Sequence, residues 1–439
     1  MRYHPRRTLA VLAVLALTTG ACGSGDDGDG GDVAGDGGDG GERVFTLWHY
    51  EGPDSAMGIA WDEAIAQFEE SHPDVTVAFE EKSFEQIQDT AAMVLNSDEA
   101  PDLMEYNKGN ATAGLLSSQG LLTDLTEEAE SRGWADLLSP SLQTTARYDE
   151  DGIMGSGPWY GVPNYGEYVM VYYNVDAFTE RGLEEPTTLE ELEEILATFT
   201  DEGITPISLG ASEYPAQQIL YELALSQADR SFIDAFELYE GEVDFHGPEL
   251  SFAAERMQQW VDAGYLSTDS TSLTAEDMGT AFIAGDFPIM ISGSWWYGRM
   301  LAEIDGFEFG TFLFPGNEFH PGSSGNLWVV PEGSENKDLA YDFIDITMQP
   351  DIQAILGNNG GVPVAADPTE ITDEASQELI ENFNTILDAD GLAFYPDWPV
   401  PGYYDVLVSA VQNLISGSPP DEVLEEMRVP YDDHLATLG

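Results

Sequence analysis

The chain has 439 residues, more than one hydrophobic core usually serves, so two lobes or domains are expected. A hydrophobic fraction of 42% with 11% aromatic residues excludes an intrinsically disordered chain. The 82 Asp and Glu against 14 Lys and Arg give a formal charge of −68, which argues against nucleic acid as a partner, because phosphate backbones are held by clustered cations. So many carboxylates read instead as a solvated, self-repelling surface suited to a salty medium.

Arg2, Arg6 and Arg7 precede an apolar run over residues 9–17, too short to span a bilayer but suited to a signal peptide, which is predicted over 1–21. Leu17, Thr18, Thr19, Gly20 and Ala21 lead into Cys22, the sole cysteine, so no disulfide forms within one chain. This stretch resembles the lipobox of bacterial lipoproteins, with Thr19 where that motif usually has Leu. The resemblance implies that the Cys22 thiol is acylated and the chain is cut just before it. A protein so treated sits on the extracellular face of the cell membrane, held by its lipid anchor alone. Residues 23–41 are nearly all Gly and Asp and read, with the acylated Cys22, as a flexible tether over 22–42. The spacing of Asp26, Asp27, Asp29 and Asp32 fits neither an EF-hand loop nor a regular calcium repeat.

Residues 44–50 read as a buried strand, 55–71 as a helix with Trp61, Ile65 and Phe68 on one stripe, and 75–79 as a returning strand. This is a β-α-β unit, which implies a parallel sheet with helices on its faces. A helix over 84–95 and a strand over 102–106 follow. Further strands are predicted over 169–173, 204–209, 287–291, 307–314 and 327–330. Helices are predicted over 189–199, 252–261, 277–283, 339–348, 404–415 and 421–428, so the fold class is α/β throughout. Ligands in open α/β sheets bind beyond the carboxyl ends of strands.

Several of those ends carry aromatics beside amides or carboxylates. The first strand ends in Trp48, His49, Tyr50 and Glu51; the 102–106 strand runs into Tyr106, Asn107 and Lys108; the 287–291 strand leads to Gly293, Ser294, Trp295 and Trp296. Near the end come Asn358, Asn359, Gly360 and Gly361, then Tyr395, Asp397, Trp398, Tyr403 and Tyr404. A sugar ring has apolar C–H faces that stack on Trp or Tyr and a rim of hydroxyls that needs donors and acceptors. Trp61 and Trp260 lie on helical stripes and read as core, whereas adjacent Trp295 and Trp296 cannot both point inward, so one faces a cleft. The six His, at 4, 49, 72, 246, 320 and 434, are scattered, so neither a metal nor a cofactor is expected.

At these residues the chain resembles the family 1 extracellular solute-binding proteins, the maltodextrin-binding type that serves ABC sugar importers. "AFIAGDFPIMISGSWW" (281–296) is similar to that family's helix, Gly turn, strand and Gly-x-Trp signature. "GVPNYGEYVMVYYN" (161–174) and "SSGNLWVVPEGSENKDLAYDFI" (323–344) look like its two interlobe crossovers, and "NNGGVPV" (358–364) and "VPGYYDVLVSAVQNLISG" (400–417) complete the series in order. The resemblance implies a type II two-lobe fold, each lobe a central sheet flanked by helices, with residues 43–162 plus 325–368 in lobe 1 and 163–324 plus 369–439 in lobe 2. It implies a monomer that clamps a carbohydrate between the lobes and delivers it to permease subunits. Carried over by position, the ligand residues are Trp48, His49, Glu51, Tyr106, Lys108, Asn164, Glu213, Tyr214, Trp295 and Tyr404. Many relatives have an acidic residue near 107–109, where this chain has Lys108. Tyr165, Asn359, Gly360 and Trp398 are added from their loops.

Other functions stay open at the sequence level. A secreted glycoside hydrolase would also use a Trp-lined cleft with two carboxylates, but among 82 acidic residues some pair always looks suitable, and no catalytic motif is present. Relatives of the same fold bind polyamines, which carboxylates flanked by aromatics would hold. A tethered adhesin would need no closing cleft. The resemblance favours a carbohydrate-binding protein over all three and over an enzyme.

Overall fold

The computed structural model describes residues 43–366 and 368–438; the expected signal peptide, Cys22 and the tether lie outside them. In chain order the strands are β1 (Arg43–His49), β2 (Val75–Glu81), β3 (Leu103–Tyr106), β4 (Arg147–Tyr148), β5 (Met154–Trp159), β6 (Val162–Pro163) and β7 (Glu167–Asn174). After them come β8 (Ile207–Ser208), β9 (Ile289–Gly293), β10 (Phe309–Phe312), β11 (Gly322–Ser323) and β12 (Leu327–Val329). One sheet runs β2-β1-β3-β12-β6; the other runs β10-β7-β9-β8, with β11 beside β7; β4 and β5 form a hairpin. This is the two-lobe α/β architecture expected from the sequence.

The first β-α-β unit forms as predicted, with β1 parallel to β2 from Arg43↔Val75 to His49↔Glu81. Between them lies the helix Ala56–Ser71, whose first free N–H groups are met by the Ser55 hydroxyl, which accepts from the Gly58 amide at 2.9 Å. Gly58 is required there, because a Cβ would stand 2.0 Å from the Gly52 carbonyl oxygen. The helix buries Ala60, Trp61, Ala64 and Phe68 on one stripe, the periodicity that marked it.

Strand β7 is buried on both faces. Val169, Val171 and Tyr173 enter one apolar cluster, while Tyr168, Met170 and Tyr172 enter the other, as the two-residue alternation of a strand requires. The expected strand over 204–209 shortens to Ile207–Ser208, since Pro206 has no N–H for the ladder and offers only its carbonyl, which accepts from the Ile289 amide at 3.1 Å. The helix Ala216–Leu225, absent from the sequence reading, buries every one of its residues and so lacks the polar face that periodicity detects.

The sheets are mixed rather than wholly parallel, and the antiparallel members show where the chain passes between lobes. It leaves the first sheet at β6 and enters the second at β7 through residues 164–166; it returns from β11 to β12 through 324–326. The two crossings lie side by side, with the Asn164 amide donating to the Asn326 carbonyl at 3.1 Å. A third passage is tied in by the Gly166 amide, which donates to the Val362 carbonyl at 2.7 Å.

Trp61 and Trp260 are buried as read from their stripes, and Trp328, fully buried on β12, meets Trp61 edge-on at 5.4 Å and Phe343 at 5.6 Å. Trp328→Ala removes the ring on which helix and sheet meet. It is expected to cost about 3–5 kcal/mol, read as a fall in the denaturant midpoint at unchanged slope. A loss under about 1 kcal/mol would mean that the site collapses around the gap.

Candidate ligand-binding site

A cavity of about 210 Å³ opens where the carboxyl ends of β1, β3 and β9 meet the crossings. Tyr50 and Glu51 follow β1, Asn107 and Lys108 follow β3, and Trp295 follows β9. The crossings contribute Tyr165 and Asn326, and β7 contributes Glu167 at its start. The far wall is built by Tyr214, Gln217 and Gln218 and by the 395–404 segment with Tyr395, Asp397, Trp398 and Tyr404. Phe84 closes one side.

Two glycines permit the ring placements. A Cβ on Gly293 would lie 1.9 Å from the Trp295 ring, so the Gly-x-Trp spacing lets the indole fold back over the strand end. Gly109 has φ +103°, and a Cβ there would lie 2.5 Å from the Trp398 side chain. Trp295 packs edge-on to Tyr214 at 5.9 Å and tilted to Tyr395 at 6.3 Å. The Tyr404 hydroxyl accepts from the Tyr214 amide at 3.0 Å.

At the base of the cavity the Lys108 ammonium donates to Glu167 and, at 3.2 Å, to Asn326 Oδ1. It lies 5.7 Å from the Tyr395 ring and 5.3 Å from the Trp398 ring. Glu167 also accepts from Ser323 Oγ at 3.0 Å and from the Tyr165 hydroxyl at 3.3 Å. Burial pushes the Glu51 carboxyl up to about 8, aided by the Glu167 charge and opposed by Lys108. Burial likewise raises Asp397 to about 6. Behind this layer Glu105 accepts from Asn164 Nδ2 at 2.8 Å and is held well above the usual carboxylate range, again chiefly by burial.

Of the residues named from the sequence, Glu51, Lys108, Tyr165, Tyr214, Trp295, Trp398 and Tyr404 line this cavity together. The others do not. Trp48 points from the opposite face of β1 to the core residues and lies under the Lys82 ammonium at 4.4 Å. His49 is buried against Phe79 with ring centroids 4.2 Å apart, and its Nδ1 accepts from the Glu51 amide at 3.3 Å, so it orients the Glu51 backbone; burial lowers it to about 4. Tyr106 shares the face of Met104 and is packed inside the core. Asn164 is fully buried on Glu105.

Glu213 accepts from the Ala275 amide at 2.8 Å and lies in an adjoining groove with Glu85 and Lys82. Asn359 ends the helix Pro350–Asn358, its side chain donating to the Ile355 carbonyl at 2.7 Å. Gly360, with φ +85°, serves close packing, since a Cβ would stand 2.8 Å from Gly298 Cα. The pair Trp295 and Trp296 divides as expected, with Trp295 on the cavity and Trp296 buried.

The sequence reading did not select Glu167, Gln217, Gln218 or Asn326. A carboxylate opening the apolar run of 167–173 was the available signal for Glu167. Tyr50, Asn107, Tyr395 and Asp397 stood in the strand-end loops already singled out.

The chain belongs to the bacterial extracellular solute-binding protein family, whose model matches residues 63–380. It is 26% identical over 227 residues to the "probable sugar-binding periplasmic protein" of Rhizobium meliloti, covering 50% of this chain and 52% of that protein. The chain thus spans about half the length of that relative. A protein of the same name from Mesorhizobium japonicum is 24% identical over 338 residues, covering 72% of this chain and 76% of its own. Among solved structures, a chitin oligosaccharide binding protein matches with a TM-score of 0.77 at 20% identity, over 90% of this chain and 99% of that one. The GacH receptor of Streptomyces glaucescens, solved unliganded and with acarbose, matches with a TM-score of 0.73 at 21% identity, over 90% of this chain and 99% of its own. At such identities the structures establish the fold alone.

Glu51 carries a pH prediction. Its carboxyl keeps its proton up to about 8 when folded, against an ordinary 4.5 when unfolded, so the stability it contributes below the unfolded value is lost as pH rises through the folded one. Glu51→Gln cannot ionise. Between about pH 5 and about pH 9 the native protein should therefore lose stability relative to the variant, as read from melting temperatures. A gap independent of pH would show Glu51 ionised throughout.

Proposed function

We propose that this protein is the extracellular substrate-binding component of an ABC importer and that it takes a carbohydrate into the cavity between its lobes. The observation that carries this is one cavity in which Trp295, Tyr214, Tyr395 and Trp398 stand beside amides and carboxylates. The rings offer flat apolar faces to the C–H faces of a sugar, and the polar groups answer its hydroxyls. Ligand bound to both walls favours the closed arrangement, which a permease then recognises. The lobes are taken as 43–162 plus 325–368 and 163–324 plus 369–439. Tyr165 and Asn326, on the crossings between them, would touch ligand from the hinge.

On this reading the protein is a monomer and a binder rather than an enzyme, and an oligosaccharide incubated with it should yield no new reducing ends. Its anchor is Cys22, acylated after removal of residues 1–21, with residues 22–42 as tether. Among the described residues no helix is long and apolar enough to cross a membrane.

Calorimetry over mono-, di- and oligosaccharides tests the binding. Trp295→Ala should weaken the saccharide found by several-fold to hundreds-fold, about 1–3 kcal/mol, with melting of the empty protein little changed. Equal loss of stability would make Trp295 a core residue. Cys22→Ala should shift the protein from the membrane fraction to the medium; retention would refute the lipid anchor.

A further inference from the structure

The charges facing the cavity do not balance. Among the described residues Glu51, Glu167 and Asp397 line it with Lys108 as the one cation. Lys108 is engaged by Glu167 and Asn326. Glu51 and Asp397 form no ion pair among the described residues; Glu51 receives the Ser55 hydroxyl, at 3.5 Å, and the Tyr165 hydroxyl, neither of which carries charge. A second observation is independent of the carboxylates. Gln217 and Gln218, 2% and 5% exposed, line the same cavity with side-chain carbonyl oxygens that have no donor among the described residues, and the Tyr50 hydroxyl and Trp295 Nε1 beside them are likewise unpartnered there.

Buried acceptors without donors are costly, and buried carboxylates without a cation more so. A neutral hydroxyl brings such a wall one proton and no charge, whereas an ammonium brings three donors and a charge. Tyr50, Tyr214 and Trp295 supply ring faces against which an ammonium also packs favourably. The adjoining groove is also rich in carboxylates, and there burial, with Glu85 nearby, raises the Glu213 carboxyl above its ordinary range.

We propose that the saccharide taken by this cavity is an amino sugar with a free, protonated amine, whose charge is answered by the otherwise unpaired carboxylates Glu51 and Asp397. The inference rests on the carbohydrate reading and narrows it. An ammonium favours the ionised carboxylates, so binding of the amine expels the protons that burial holds on Glu51 and Asp397. A neutral sugar, which brings hydrogen bonds but no charge, expels fewer.

The test is calorimetry on the full chain with matched sets: glucosamine, N-acetylglucosamine and glucose, their galactose counterparts, and the β-1,4-linked dimers of glucosamine and glucose. Each is run in two buffers of different ionisation enthalpy, with spermidine alongside. The amines are expected to bind on the order of tenfold tighter than their neutral partners, with net proton release. Asp397→Asn should lower affinity for the amine more than for its neutral partner, narrowing that ratio. Neutral or N-acetyl sugars binding as tightly as the amines, or no amine binding at all, overturns the inference while the carbohydrate reading stands on any saccharide that binds. Spermidine binding with no saccharide bound overturns both.

Discussion

The buried pair of Lys108 and Glu167 organises the centre of the molecule. Their side chains are 3% and 6% exposed, and two charges so placed persist only when paired and hydrogen-bonded. The groups that complete the pair come from both crossings and from β11: Tyr165 and Ser323 donate to Glu167, and Asn326 accepts from Lys108. Lys108 stands two residues beyond a strand of one sheet and Glu167 begins a strand of the other, so the pair ties the two sheets together. Because Lys108 is committed there, it leaves the remaining carboxylates of the cavity uncompensated. The same bond that joins the lobes therefore sets the electrostatic character of the space between them.

The rings around that space are held by absences of side chain. Gly293 and Gly109 each stand where a Cβ would collide with an indole, and each sits next to a strand end. The backbone there is shaped to receive Trp295 and Trp398. A preformed stacking surface loses little conformational freedom on binding.

Much of this was legible in the residues. The helix at 84–95 forms over Phe84–Leu95 as read, the helix read over 55–71 forms over Ala56–Ser71 with Ser55 as its cap, and the strand-end rule led to Glu51, Lys108 and Trp295. Alternation told which face a residue takes but not whether that face meets a cavity or a core. Tyr106 and Asn164 stand near the right strand ends yet turn into packed interior. Gln217 and Gln218 lie on a helix buried all round, whose role depends on the distant 395–404 segment, and Glu167 was hidden at the head of an apolar strand. What escaped was pairing between parts far apart in the chain, which local pattern does not encode.

The chain passages at 164–166 and 324–326, joined to each other and tied at Gly166 to Val362, lie together like the pin of a hinge. Glu167 is the first residue beyond the pin, and Lys108 holds it, so this contact has almost no lever arm when the lobes swing. Phe84 and Tyr214 are carried on separate segments that follow β2 and β8 and face the cavity from either side of it. Were those segments to part, the aromatic side of the cavity would open while the ion pair beside the pin stayed made and shielded from water.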